Sequence, residues 1–476
     1  MINNLPVDLQ NLRAFLPEIV AAMRPRVPYA SALVTQLGGT FMAKSRSEDR
    51  INPIQPRRGI RISVWDGATF HSTATSNIND RDYLIRLAKE LANSVSIKSK
   101  RVPEAGPSLD KHFESTYQID PYQISSAERK QKLIHIFDYC TQHDKRIVET
   151  RAISQFNQEY RLFCNGERLL SSVTTRTNLY VVMIAVEAGK QVMNFKFLTG
   201  AGYEHEQVSD DELRALADQT LACLSAERIT PGEYRVILTP SITGLLAHES
   251  FGHGCELDTM IRGAARAALY IGKRVGSDIV NISDFGGFPN KHGSIFFSDD
   301  GVLSTEPVVL VKDGILQPTM MTDLYSYTMM HDRLPGLKLS ANGRLEAWDH
   351  PIYARMTNTY FEALPREKGG MTKDELIADM GDGVMVDRFT SGMEDPLGWG
   401  VQLQALLGHE IKKGKMTSKL YYQVGMTGYV PDVLQSIDGI SPDFWIDSTG
   451  TCGKGHKEYV RAADGGPYVR CRMKLG

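Results

Sequence analysis

His248 and His253 stand five residues apart, with Glu249 directly after the first and Gly252 and Gly254 on either side of the second. Two imidazoles this close in sequence can share a divalent ion. A carboxylate beside them can take a proton from water polarised by that ion and pass it to a leaving amine. The familiar zinc-hydrolase spacing is four, because 3.6 residues per turn then puts both rings on one face. At a spacing of five, an ideal helix turns the rings roughly 140° apart, too far to share an ion. One extra residue absorbed as a π-turn restores a common face, and glycines make the backbone soft enough for it; the alternative is that the helix simply ends there. A distortion is therefore expected at residues 250–252; an unbroken i to i+4 ladder through Gly254 would contradict it.

A catalytic zinc commonly keeps three protein ligands and an open position. Cys452 is the preferred third ligand: its thiolate is a soft donor, and Gly450 and Gly453 let the backbone approach closely. Glu256, three residues after His253, is a rival, as are Cys255 and His456. Chemistry alone favours Cys452 only slightly, since a lone cysteine commonly fills a core.

The elements around these residues can be read from periodicity. Residues 234–238 alternate as a strand, and Thr239 followed by Pro240 is a helix-start signal, so the histidines are expected on a helix leaving a strand. Upstream, Asp8 is expected to cap a helix carrying Leu9, Leu12, Leu16 and Ile19. Strands are expected at 60–64 and 68–72 about Asp66-Gly67, and at 156–164 and 168–172 about Asn165-Gly166. Helices are expected at 81–95, 128–142 and 211–225, with strands at 179–186 and 192–198. Residues 100–125 read as an ordered connection docked by its aromatic residues. After 229–232 the pattern turns to short strands, including 308–311, 315–317, 401–407 and 419–423. The expected fold is α+β: an N-terminal region at 1–228, or two subdomains at 1–105 and 126–228, then a largely antiparallel β domain at 229–476 carrying the metal-binding helix.

The 476 residues allow two or three domains. A net charge of -2 supplies no global basic field for nucleic acid. The basic residues Arg57, Arg58, Lys98, Lys100 and Arg101 read as a solvated face. Six cysteines without a C-x-x-C pair suit a reducing compartment. No signal-like start and no apolar run of about 20 residues is evident, so a cytoplasmic protein without membrane partners is expected.

Three motifs in order resemble the TldD/PmbA family of metallopeptidases, historically called modulators of DNA gyrase. They are His248-Glu249-Ser250-Phe251-Gly252-His253-Gly254-Cys255-Glu256-Leu257-Asp258, then Asn342-Gly343-Arg344 with Arg355-Met356-Thr357-Asn358-Thr359, then Gly450-Thr451-Cys452-Gly453. The resemblance implies zinc, or another divalent metal, held by His248, His253 and Cys452, with Glu249 as catalytic base. It also implies cleavage of peptides or unfolded protein segments, and pairing as a homodimer or with a related subunit. Departures fall at residues 387–393 and 454–458, which bear on substrate preference and subgroup.

Residues 355–359 are expected to form an edge strand near the site, where Arg355, Thr357 and Asn358 could bind substrate by strand addition. The alternative is that these residues only pack and bond within a sheet. A different class of function is a non-catalytic regulatory or interaction protein with a structural metal. Near-neutral charge and the carboxylate beside the first ligand argue against it, as does the four-ligand closure usual for structural zinc.

Overall fold

A computed structural model describes residues 4–446, 450–455 and 457–476. His456, one rival ligand, lies outside the described residues. The fold is α+β. Its first half runs α1 (Val7–Ala21), β1 (Tyr29–Lys44), β2 (Asp49–Trp65), β3 (Phe70–Thr75), α2 (Arg81–Ser94), β4 (Leu109–Glu114), α3 (Ser126–His143), β5 (Ile147–Cys164), β6 (Arg168–Glu187), β7 (Lys190–Gly200) and α4 (Asp210–Ala222). These strands form one sheet in the order β3-β2-β1-β5-β6-β4, with β7 also on β6.

Alternation explains which residues the sheet buries. Ala30, Ala32 and Val34 of β1 and Ile60, Ile62 and Val64 of β2 point into one cluster with Leu9, Leu12, Leu16 and Ile19 of α1 and Leu84 and Ala88 of α2. A second cluster joins Leu133, Ile136 and Cys140 of α3 and Leu213, Leu216 and Ala217 of α4 to Val181, Met183 and Ala185 of β6. The start of α1 departs from expectation. Pro6 occupies the cap position without a side-chain bond, and Asp8 pairs with Arg58 at 2.6 Å instead. The 100–125 connection holds β4, which pairs parallel to β6.

The second half runs β8 (Gly232–Leu238), α5 (Pro240–Ala247), α6 (Leu257–Ile261), β9 (Ile282–Asp284), β10 (Val308–Lys312), β11 (Ile315–Leu316), β12 (Gly343–Arg344), β13 (Tyr353–Ala354), β14 (Asn358–Phe361), β15 (Gly383–Asp395), β16 (Gly400–Lys412), β17 (Lys415–Tyr429), β18 (Gly439–Ile440), β19 (Trp445–Ile446), β20 (Gly450–Lys454), β21 (Lys457–Gly466) and β22 (Val469–Leu475). Strands β17-β16-β15-β8-β22 close on themselves, because β22 pairs back to β17 through Met426 with Leu475 and Thr427 with Lys474. A second sheet has the order β11-β10-β9-β14-β21-β19, with β20 also on β21. Helix α5 leaves the barrel at β8 and packs against β21 and β14 of the second sheet. This junction of barrel, helix and sheet is where the candidate ligands meet.

The two halves share apolar clusters. Leu33, Phe163 and Leu170 meet Phe297 and Leu345, while Leu406 and Leu407 of β16 join the α3–α4 cluster. Arg161 also bonds Asp299 across the junction at 2.9 Å. Among the described residues, no helix is long and apolar enough to cross a membrane. The six cysteines are all buried and none is in a disulfide.

Candidate metal centre

Pro240 opens α5, as its fixed φ and missing amide hydrogen predict. Thr239 holds the cap position, but its hydroxyl donates to Asp387 at 2.9 Å rather than closing the helix end. The helix turns into a π-segment at His248–Gly252, and the His253 amide donates to the His248 carbonyl, an i to i+5 bond. The expected distortion therefore spans five residues and is centred where it was predicted. It turns the His253 ring back toward His248, and the two ring centroids lie 5.0 Å apart. Its tight packing shows at Gly252, where an added Cβ would strike the Met356 sulfur.

Cys452 comes from β20, held in the β20–β21 hairpin with Cys452 opposite Val460. Donor atoms of His248, His253 and Cys452 all lie within 4.8 Å of one another, and all three residues are buried. Cys452 Sγ is 3.3 Å from His253 Nε2. Bond lengths of about 2.0–2.3 Å would put the donors of a tetrahedral zinc about 3.3–3.6 Å apart, so small side-chain adjustments suffice. A thiolate with two imidazoles is a donor set suited to a borderline-soft divalent ion. These residues therefore fit such an ion.

The electrostatics agree with the geometry. Burial acts to raise the Cys452 thiol, but the charges of His253 and His248 outweigh it and hold the thiol well below its ordinary value. Burial acts to lower both imidazoles; Asp464 and Cys452 push His248 well above its usual value, and Cys452 raises His253 to about 9. Cys452 and Asp464 thus favour positive charge at the imidazoles, a field that equally favours a bound dication in place of protons. Burial raises Glu249 from its usual range, with the two imidazoles opposing.

Charged residues stand behind each donor. Asp464 Oδ1 is 2.7 Å from His248 Nδ1. Glu256 Oε2 is 3.5 Å from His253 Nδ1, and its Oε1 accepts from Arg355 Nε at 3.3 Å. Arg355 Nη2 donates to Cys452 Sγ at 3.1 Å and to the Cys452 carbonyl at 2.5 Å. Sequence reading missed Asp464 altogether. It lies in a run of alanine and glycine on β21, and no spacing to His248 marks it, because 216 residues separate the two.

The edge strand expected at residues 355–359, carrying Arg355, Thr357 and Asn358, is corrected: the strand is β14, which begins only at Asn358. Strand β14 is paired on both sides, antiparallel to β9 and parallel to β21, so it offers no edge for a substrate strand. Arg355 is 1% exposed and turned toward Cys452 and Glu256. Thr357 bonds both oxygens of Asp284. Asn358 Nδ2 donates to the Phe285 carbonyl at 2.6 Å and to Ser294 Oγ at 3.3 Å. The buried Asp284 carboxylate also accepts from Asn342 and Thr359, so it gathers these polar side chains inward. Of the rival ligands, Glu256 lies behind His253, and Cys255 is buried in the apolar core.

Residues 231–475 match the family profile described as the PmbA/TldA metallopeptidase C-terminal domain. A metalloprotease of Methanocaldococcus jannaschii is 26% identical over 424 residues, covering 86% of this chain and 88% of the relative. A zinc metalloprotease TldD homolog of Saccharolobus solfataricus is 26% identical over 324 residues, covering 67% and 69%. A Thermotoga maritima crystal structure shares the fold, with a TM-score of 0.76 at 16% identity over 98% of this chain and 100% of that one.

Proposed function

The chain belongs to the PmbA/TldA metallopeptidase family, and from that membership we propose a zinc-dependent peptidase that hydrolyses peptide bonds in peptides or unfolded protein segments. The observation that carries this reading is the convergence of His248, His253 and Cys452 donor atoms within 4.8 Å beside Glu249. The zinc named for the Saccharolobus solfataricus relative supports the choice of metal. His248, His253 and Cys452 would hold the ion, which when bound supplies Lewis acidity to a peptide carbonyl and to water.

Glu249 is the proton carrier in this proposal. It follows His248 in the π-segment and is 7% exposed. Burial weakens it as an acid, so its carboxylate holds a proton more readily than one in water. Its oxygens accept a proton from the attacking water and return it to the amine of the departing product. The buried surroundings also limit competing water. Pairing with an identical or related subunit belongs to the same proposal.

Zinc-loaded protein and chelator-treated protein, incubated with unfolded casein and a mixed peptide library, test the reading by mass spectrometry of the products. Cleavage is expected only with metal. Glu249→Gln is expected to keep one zinc per chain and lose turnover by about 10²-fold or more. Cleavage that persists in the stripped protein, or full turnover by Glu249→Gln, would sink the proposal.

A further inference from the structure

His248 is held from behind more firmly than the other imidazole. Its Nδ1 lies 2.7 Å from Asp464 Oδ1, and the two side chains are 10% and 7% exposed. Local packing makes this contact. Helix α5 lies so close to β21 that a Cβ on Gly244, one turn before His248, would stand 2.6 Å from the Asp464 carbonyl carbon. Strand β21 is itself fixed, since Thr359 of β14 pairs with Asp464 in a parallel ladder. Asp464 therefore sits on a rigid interior strand, and the glycine lets the helix bring His248 to it. The carboxylate behind His253, Glu256, is farther off at 3.5 Å and also accepts from Arg355.

A hydrogen bond between an imidazole nitrogen and an ionised carboxylate requires the proton on that nitrogen. With Nδ1 as the donor to Asp464, the lone pair of a neutral His248 is on Nε2. We infer that Asp464 is the positioning residue for His248: it sets the tautomer and the ring angle from which Nε2 can ligate zinc. This inference rests on the metal reading above. It assigns Asp464 no contact with substrate. Partners of this kind typically change metal affinity by about 10- to 100-fold when removed.

The test compares full-length wild type, Asp464→Asn and Asp464→Ala after metal stripping. Zinc affinity is read by competition with a chromophoric chelator, the ligand field by the visible spectrum of the cobalt(II)-loaded protein, and folding by thermal unfolding of the metal-free form. Asp464→Ala is expected to bind zinc about 10- to 100-fold more weakly and to shift the cobalt bands, its metal-free form still unfolding in one cooperative transition but at a lower temperature, because the buried His248 loses its charge partner. Asp464→Asn keeps an oxygen acceptor for Nδ1 and is expected to recover most of the affinity and the wild-type spectrum. Wild-type zinc affinity and cobalt spectrum in Asp464→Ala would overturn the inference. So would an Asp464→Asn protein that unfolds normally yet binds as weakly as Asp464→Ala. A wild-type chain that takes up no zinc would instead overturn the metal reading itself.

Discussion

Strand β15 covers the Glu249 carboxylate at Gly392: a Cβ built there would stand 2.6 Å from Glu249 Oε1 and 2.8 Å from Leu245 Cδ1. Both atoms end flexible side chains, so relief comes most cheaply by moving Glu249. Gly392→Ala is expected to displace the carboxylate while leaving the three ligand candidates in place. Zinc content should stay at one per chain, and peptide turnover should fall by about 10²-fold if Glu249 moves the proton. Metal analysis and a cleavage assay on the same preparation check this. Undiminished turnover would mean that the carboxylate need not occupy this position.

Metal should also be visible as stability. An ion that binds only the folded chain adds about 2.7 kcal/mol at a free concentration of 100 times its Kd. Thermal unfolding of the wild type is therefore expected to rise with added zinc and fall with chelator. Cys452→Ala removes one of the three donors and should unfold at a temperature insensitive to both additions. Calorimetry across a zinc titration distinguishes these outcomes.

Close contact between α5 and β21 predicts a larger structural effect. A side chain at Gly244 would run into the Asp464–Gly465 backbone, which cannot give way as a side chain can. Gly244→Val is expected to cost about 1–3 kcal/mol from overpacking and to weaken zinc binding by separating His248 from Asp464. Urea unfolding and chelator competition measure the two effects. Wild-type stability in this variant would show that the helix can shift freely.

A pH dependence follows from buried carboxyls that are not among the three ligand candidates. Burial, then the Asp323 charge, pushes Asp300 up to about 8. Burial, then the Asp258 charge, pushes Asp323 up to about 6. An unfolded aspartate titrates near about 3.9, so between these values the folded chain holds protons that the unfolded chain has lost. Their contribution is fully present below about 3.9 and is lost as pH rises through about 6 and about 8. Asp300→Asn keeps an oxygen that can accept from the Leu324 amide, as Asp300 does at 2.8 Å. It should flatten the fall in stability toward pH 8. Denaturant midpoints from pH 5 to 9 check the slope; equal slopes in the two proteins would remove the pair as its cause.

Much of this protein is determined locally and was readable without coordinates. Apolar spacing places α1, α2, α3 and α4, because a helix buries every third or fourth residue whatever it packs against. The five-residue interval between His248 and His253 requires a departure from the regular helix, because ring direction on a helix follows from residue count; of the two departures the spacing allowed, a helix end or a π-turn, the fold takes the π-segment. Tertiary structure alone decided the rest. Residues 355–359 have a composition that suits an edge or an interior strand equally; the pairing of β14 with both β9 and β21 encloses Asn358, while Arg355 is turned toward Cys452 and Glu256 and Thr357 toward the buried Asp284 carboxylate. Cys452 could be singled out by its soft sulfur and flanking glycines, but its 3.3 Å approach to His253, like the 2.7 Å approach of Asp464 to His248, spans roughly two hundred residues of chain. No local pattern encodes such distances; they follow from a helix leaving the barrel at β8 and settling on a sheet whose last strands come from the C-terminal end.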